Sequence, residues 1–235
     1  MQKQLEGRSH LINLVDQSDN RNTILHLACE HHHLPVVTWL LQQHSRLMVN
    51  MSYQEGKSAF FVACEKGFTE IVKVMLLSRS TTQPLLDVNL GLSKHSPLMI
   101  ACKSGHVGVV EELLERGGDK VNRAIKGSIL TNACDSGNME ILELLLNHPT
   151  IDVNQKIQYG SNLLHHVCYH SQLAQLRRLL QLPTLKLNQQ TDVGLTPLMV
   201  ACQQGRLSIV NELLKYKKVN PNICDSRKRT TLDCC

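Results

Sequence analysis

The sequence predicts an all-α repeat protein of helix–turn–helix pairs joined by polar links. Three observations carry this expectation. One motif returns six times at near-constant spacing, as repeat architectures require. Within each copy, apolar residues recur at helical intervals. The core must also be built almost without aromatics, because Phe, Trp and Tyr make up 3% of 235 residues while 42% are hydrophobic. Leu, Val, Ile, Ala and Cys suit thin layers of small helices better than a thick globular centre.

The six segments align without gaps. They are TILHLACEHHHLPVVTWLL, SAFFVACEKGFTEIVKVML, SPLMIACKSGHVGVVEELL, SILTNACDSGNMEILELLL, NLLHHVCYHSQLAQLRRLL and TPLMVACQQGRLSIVNELL, starting at Thr23, Ser58, Ser96, Ser128, Asn162 and Thr196, so the starts lie 35, 38, 32, 34 and 34 residues apart. Thr, Ser or Asn opens the first helix of each and can accept a hydrogen bond from its free N–H groups. Pro97 and Pro197 follow that cap, where a missing N–H is harmless. Gly67, Gly105, Gly137 and Gly205 end the first helix, where a left-handed residue is needed. His32 and Ser171 stand at this position in the first and fifth segments, so strained or differently shaped turns are expected there. A second apolar face follows, such as Ile141, Leu142, Leu145 and Leu146. A polar link built around Val-Asn joins the segments: Val49-Asn50, Val88-Asn89, Val121-Asn122 and Val153-Asn154, with Leu187-Asn188 and Pro221-Asn222 as variants.

This combination resembles the ankyrin repeat, whose pattern runs T-P-L-H-x-A, G-H, a leucine-rich helix and D-V-N, and the resemblance implies an ankyrin-repeat solenoid of stacked helix–turn–helix pairs with finger loops. The segments starting at Ser96 and Thr196 carry it most fully. The resemblance divides the chain into a partial N-terminal repeat or cap over 1–22, six repeats over 23–229 and a truncated seventh over 230–235. HLINLVD, before Asp16, is read as the last turns of a preceding second helix. Both ends then look cut mid-array, which leaves room for a chain that is a fragment of a longer protein.

The resemblance also implies what the chain does. It points to a non-catalytic module presenting a concave groove to a protein or extended peptide. The alternative is a regulatory or targeting domain of a larger enzyme or channel. Family contacts come from the two residues after the Ala-Cys position and from the finger tips. Carried over, these are Glu30, His31, Glu65, Lys66, Lys103, Ser104, Asp135, Ser136, Tyr169, His170, Gln203 and Gln204, with Tyr53, Gln54, Glu55, Lys94, Lys126, Tyr159, Asp192 and Arg227 on the fingers. Asp225 belongs to the last finger as well. Tyr53, Tyr159 and Tyr169 are the expected anchors. His26 and His165 occupy the family histidine, which braces neighbouring repeats through backbone.

Other features read as structure. Cys29, Cys64, Cys102, Cys134, Cys168 and Cys202 form a ladder where the family prefers Ala, so they are expected to be buried, unpaired apolar filler. Cys224, Cys234 and Cys235 are expected to be accessible. His31, His32 and His33 lie on a turn and diverge, unlike the i, i+4 pair of a zinc helix. His166 and His170 have that spacing but sit on a short helix, and no metal or cofactor is expected. Glu111, Glu112, Glu140 and Glu143 read as a solvated second-helix face. Lys215, Lys217, Lys218, Arg227, Lys228 and Arg229 form one basic cluster, yet a net charge of +5 without interleaved aromatics does not call for nucleic acid. Nine cysteines and no apolar leader suggest an intracellular protein, cytoplasmic or nuclear, without membrane insertion and monomeric.

Overall fold

The first helix of each pair starts on a small polar residue. In the computed structural model, which describes residues 13–15, 22–43, 47–53, 56–78, 85–91, 96–116 and 128–234, the side-chain oxygens of Thr23, Ser58, Ser96, Asn162 and Thr196 each accept the N–H three residues on. Such caps stabilise by about 1 kcal/mol each. The Ser128 side chain lies outside the described residues. Pro97 and Pro197 occupy the first helical turn, as their ring geometry favours.

Two units follow along the chain, Met1–Ala124 and Ile125–Cys235. In the first, α1 (Ile24–Glu30) pairs with α2 (Leu34–Gln43), α3 (Ala59–Lys66) with α4 (Thr69–Leu77), and α5 (Pro97–Ser104) with α6 (Val107–Arg116). First helices stack on first helices and second on second: α1, α3, α5 form one layer and α2, α4, α6 the other. Strands β1 (Ser52–Tyr53) and β2 (Lys57–Ser58) close a finger between α2 and α3, antiparallel, with Ser52 opposite Ser58. The second unit repeats the plan. Here α7 (Ser128–Ser136) pairs with α8 (Met139–Leu146), α9 (Leu163–Tyr169) with α10 (Leu173–Leu179), and α11 (Pro197–Gln203) with α12 (Leu207–Leu214).

The predicted apolar faces make these cores. Ile141, Leu142 and Leu145 of α8 are fully buried, each contributing about 1.5–3 kcal/mol of transfer energy before entropy is counted. Ala and Cys of the ladder are also buried, since a larger side chain would hold adjacent first helices apart. Cys29, Cys64, Cys102, Cys134 and Cys168 have no more than 1% exposure. Cys202 departs from the expectation and is half-buried, because the neighbour of α11 on that side is a three-residue 3-10 turn, Leu232–Cys234, rather than another described first helix. The eight described cysteines are free thiols.

The turn after each first helix bears out one of the two alternatives expected at His32 and Ser171. His32 (φ 58°) and Ser171 (φ 60°) adopt the same left-handed conformation as the glycines they replace. The His33 N–H reaches Ala28 O at 2.8 Å, just as Phe68 N–H reaches Ala63 O at 3.0 Å. These turns are strained but not differently shaped, because the closing hydrogen bonds fix the geometry whatever the residue. Of HLINLVD, the expected end of a preceding second helix, only Asn13 to Val15 lie among the described residues. There Asn13 accepts the Met48 N–H at 2.9 Å, and Val15 forms a bridge with Thr23.

Candidate functional site

Burial separates the two sides of each first helix. Directly after the buried ladder cysteines, Glu30, His31, Lys66, Lys103, Ser104, Asp135, Tyr169, His170, Gln203 and Gln204 are exposed. Several of the expected contact residues are engaged within the fold, Asp135 among them through His166 and Gln172. Glu65 is half-buried and pairs with Lys57 Nζ at 2.9 Å, and the Ser136 hydroxyl donates to Ala133 O at 2.8 Å. On the fingers, Tyr159 is 84% exposed, with a left-handed backbone at φ 57°. Asp192 and Arg227 are exposed too, while Asp225 is buried, with Arg229 at 2.7 Å across an ion pair. The Arg229 and Arg227 backbone N–H groups and the Arg229 guanidinium hold the Asp225 carboxyl below the usual carboxylate range. Gln54, Glu55, Lys94 and Lys126, and the side chain of Tyr53, lie outside the described residues.

The family histidines do what their position implies. A carbonyl can only accept, so His26 donates from Nε2 to Lys57 O (3.3 Å) and His165 from Nε2 to Leu195 O (3.0 Å), each reaching the start of the next pair. Burial depresses the pKa of both, and both rings act as neutral braces. A further brace, missed in the sequence, comes from the residue after the left-handed turn. His106 Nε2 bonds Glu65 O at 3.0 Å, Gln172 donates to Cys134 O at 3.1 Å and Arg206 to Tyr169 O at 3.1 Å. His32 instead stacks on Phe68, with ring centroids 4.3 Å apart.

The link asparagines form a second ladder. Asn50, Asn154 and Asn188 each donate from Nδ2 to a carbonyl of the next link, at Leu85, Thr184 and Lys218. Their Oδ1 atoms accept the N–H two residues further on, from Asp87, Lys186 and Asn220. Only an amide donates and accepts in this way, which explains the recurring Asn. Of the four second-helix carboxylates, Glu111 and Glu140 are exposed as expected, but Glu112 and Glu143 are half-buried in ion pairs. Glu143 pairs with Arg178 of the next helix pair, and Glu112 with Arg116 and Lys73. Within the basic cluster, Lys215 pairs with Glu212 and Arg229 with Asp225.

In the second unit, His166 Nε2 lies 2.7 Å from Asp135 Oδ1, and the His166 and His170 rings are 4.4 Å apart. Tyr169 meets His170 edge-on at 4.9 Å. Among the described residues no three His, Cys, Asp or Glu side chains converge as a metal-binding group. No described helix is long and apolar enough to cross a membrane.

The sequence matches the family described as "Ankyrin repeats (3 copies)" over residues 2–84, 45–125, 78–157 and 130–225. The chain belongs to the ankyrin repeat family. Two solved ankyrin structures share its fold. The ankyrin repeat domain of Bcl-3, described as a unique member of the IkappaB protein family, is 18% identical with a TM-score of 0.78, covering 92% of this chain and 95% of that one. The human ASB11 ankyrin repeat domain is 23% identical with a TM-score of 0.70, covering 91% and 92%. No curated relative matches the sequence. The ankyrin repeat is a protein-interaction fold and a typical non-enzymatic one.

Proposed function

We propose that this ankyrin domain is a non-catalytic interaction module that takes a protein or extended peptide on the groove side of its first helices. The observation that carries the reading is the division within each first helix. The ladder residues are buried by packing, whereas the next two positions are mostly exposed and differ in chemistry from repeat to repeat. Packing fixes the first set and leaves the second to a partner. The same reading takes residues 23–229 as six repeats, flanked by partial ones, in a monomer. It places the chain inside the cell, where thiols such as the eight described here stay reduced.

The test is selection of random linear peptides displayed on phage against the intact chain, followed by binding measurements on variants. Lys66→Ala or Tyr169→Ala should cost the selected peptides about 1 kcal/mol or more at a contact hot spot. Glu111→Ala, exposed on a second helix, should leave binding intact. It is a better control than Glu143, which is held in an ion pair. Equal losses from Glu111→Ala and Tyr169→Ala, at unchanged stability, would place the contact on the other face.

A further inference from the structure

The second unit contains a cavity of about 240 Å³ beside α9. His166, Tyr169 and His170 form an aromatic wall, with Ile157 and Val200 supplying aliphatic surface. The volume argues about the occupant first. Pockets for drug-sized ligands and cofactors run to about 300–1,000 Å³, so this one fits a single large side chain.

The lining then narrows the chemistry. Most of its polar atoms are already bonded within the fold. Ser161 Oγ donates to Gln158 O at 2.8 Å, and Thr191 Oγ1 accepts the Leu195 N–H at 3.1 Å. His165 donates to Leu195 O and accepts the Asn162 N–H, and His166 is bonded to Asp135. Besides the Tyr169 hydroxyl and the His170 ring nitrogens, ring faces and aliphatic groups are what the cavity has left to offer. Partial burial lowers the His170 pKa, helped by its neighbours His166 and Arg206, so the His170 ring is neutral near pH 7.

Two cations flank the cavity. Lys156 precedes the lining residue Ile157 and is close enough to His165 to act on it electrostatically. Arg206 holds the Tyr169 carbonyl and acts on His170. Neither pairs with a carboxylate among the described residues, whereas Asp135, the carboxylate that acts on His170, is itself bonded to His166 and Gln172.

Resting on the interaction-module reading above, we infer that this cavity receives one bulky apolar side chain, Leu or Phe in size, from an extended peptide whose adjacent residues are acidic. The apolar side chain fills the wall and floor, and the flanking carboxylates meet Lys156 and Arg206. Opposite charges arranged this way add specificity and association rate.

The phage-selected peptides test this directly. They should be enriched in a Leu or Phe next to Asp or Glu. Val200→Trp fills the cavity and should weaken them by about tenfold or more, and Lys156→Glu by about fivefold, as at a hot spot. His170→Ala removes an exposed part of the wall and serves as the second variant if Val200→Trp melts early by circular dichroism. Peptides that keep their affinity for Val200→Trp and His170→Ala but lose it on Lys66→Ala would overturn the cavity assignment while leaving the module intact. Selection without enrichment, or binding indifferent to every first-helix variant, would overturn both.

Discussion

Gly67 and Gly105 offer a matched pair for measuring one brace between repeats. Both follow a first helix at φ 77°. A Cβ at Gly105 would meet nothing within 4 Å, whereas at Gly67 it would lie 2.6 Å from the His106 ring. Gly105→Ala therefore carries only the left-handed strain, about 1 kcal/mol. Gly67→Ala carries that strain and also displaces His106 from Glu65 O, where the bond is 3.0 Å. A lost hydrogen bond adds about 1 kcal/mol, so about 2–3 kcal/mol is expected in all. The chain's single tryptophan, Trp39, lies in α2 of the same unit, so its fluorescence in a urea titration reports on both variants. His106→Ala closes a double-mutant cycle: in that background Gly67→Ala should cost no more than Gly105→Ala. Equal losses for the two glycines in the wild-type background would refute the brace.

Three more outcomes follow from the same structure. Ser171→Gly should stabilise the chain by about 0.5 kcal/mol, since the relief of left-handed strain exceeds the added unfolded-state entropy; His32→Gly should gain less, because the stack on Phe68 goes too. Native thiol labelling should modify exposed Cys224 quickly and leave Cys29, Cys102 and Cys134 untouched, because burial pushes those thiols up to about 12; Cys134→Ala should be mild and Cys134→Asp should cost several kcal/mol, about what an unpaired buried charge demands. Finally, His26 and His165 are depressed in the folded state from an ordinary value of 6.5. The unfolded chain then binds more protons below that value, so their contribution to stability is complete above pH 6.5 and falls as pH drops toward the folded values. Urea midpoints at pH 7.5 and 5.5 should show this loss, and His26→Gln should flatten it.

What the sequence made legible was local. Caps such as Ser58, the first-turn Pro97 and Pro197, the turn glycines and the leucine faces depend only on a residue and its near neighbours, and each stands where its chemistry places it. What escaped depends on partners some 30 to 40 residues away. Glu143 reads as a solvated carboxylate until Arg178 is seen to lie beside it. The link asparagines could be counted, but their double bonds to the next link could not be read without the stacking register. At His32 and Ser171 the sequence left two alternatives, strain or another shape, because the closing hydrogen bonds that decide for strain cannot be read from residue preference. The wall of the cavity was partly visible as Tyr169 and His170, while Ile157 and Val200 carried no signal of their own.

The asparagine ladder bears on how such a chain can change over generations. Asn154 and Asn188 reach carbonyls 30 residues ahead and Asn50 reaches one 35 ahead, yet all make the same pair of bonds. The longer stretch between Asn50 and its partner, 35 residues against 30, leaves the clamp unaltered, because the clamp reads only the backbone of the following link and not the length of chain before it. Deleting or duplicating a whole repeat would likewise hand each asparagine an equivalent backbone pair. Removing one residue inside a link would not, for it would slide the N–H and carbonyl out of register together. Genetic gain and loss should therefore be tolerated by the repeat, or in the stretch before a link, and purged within the link itself.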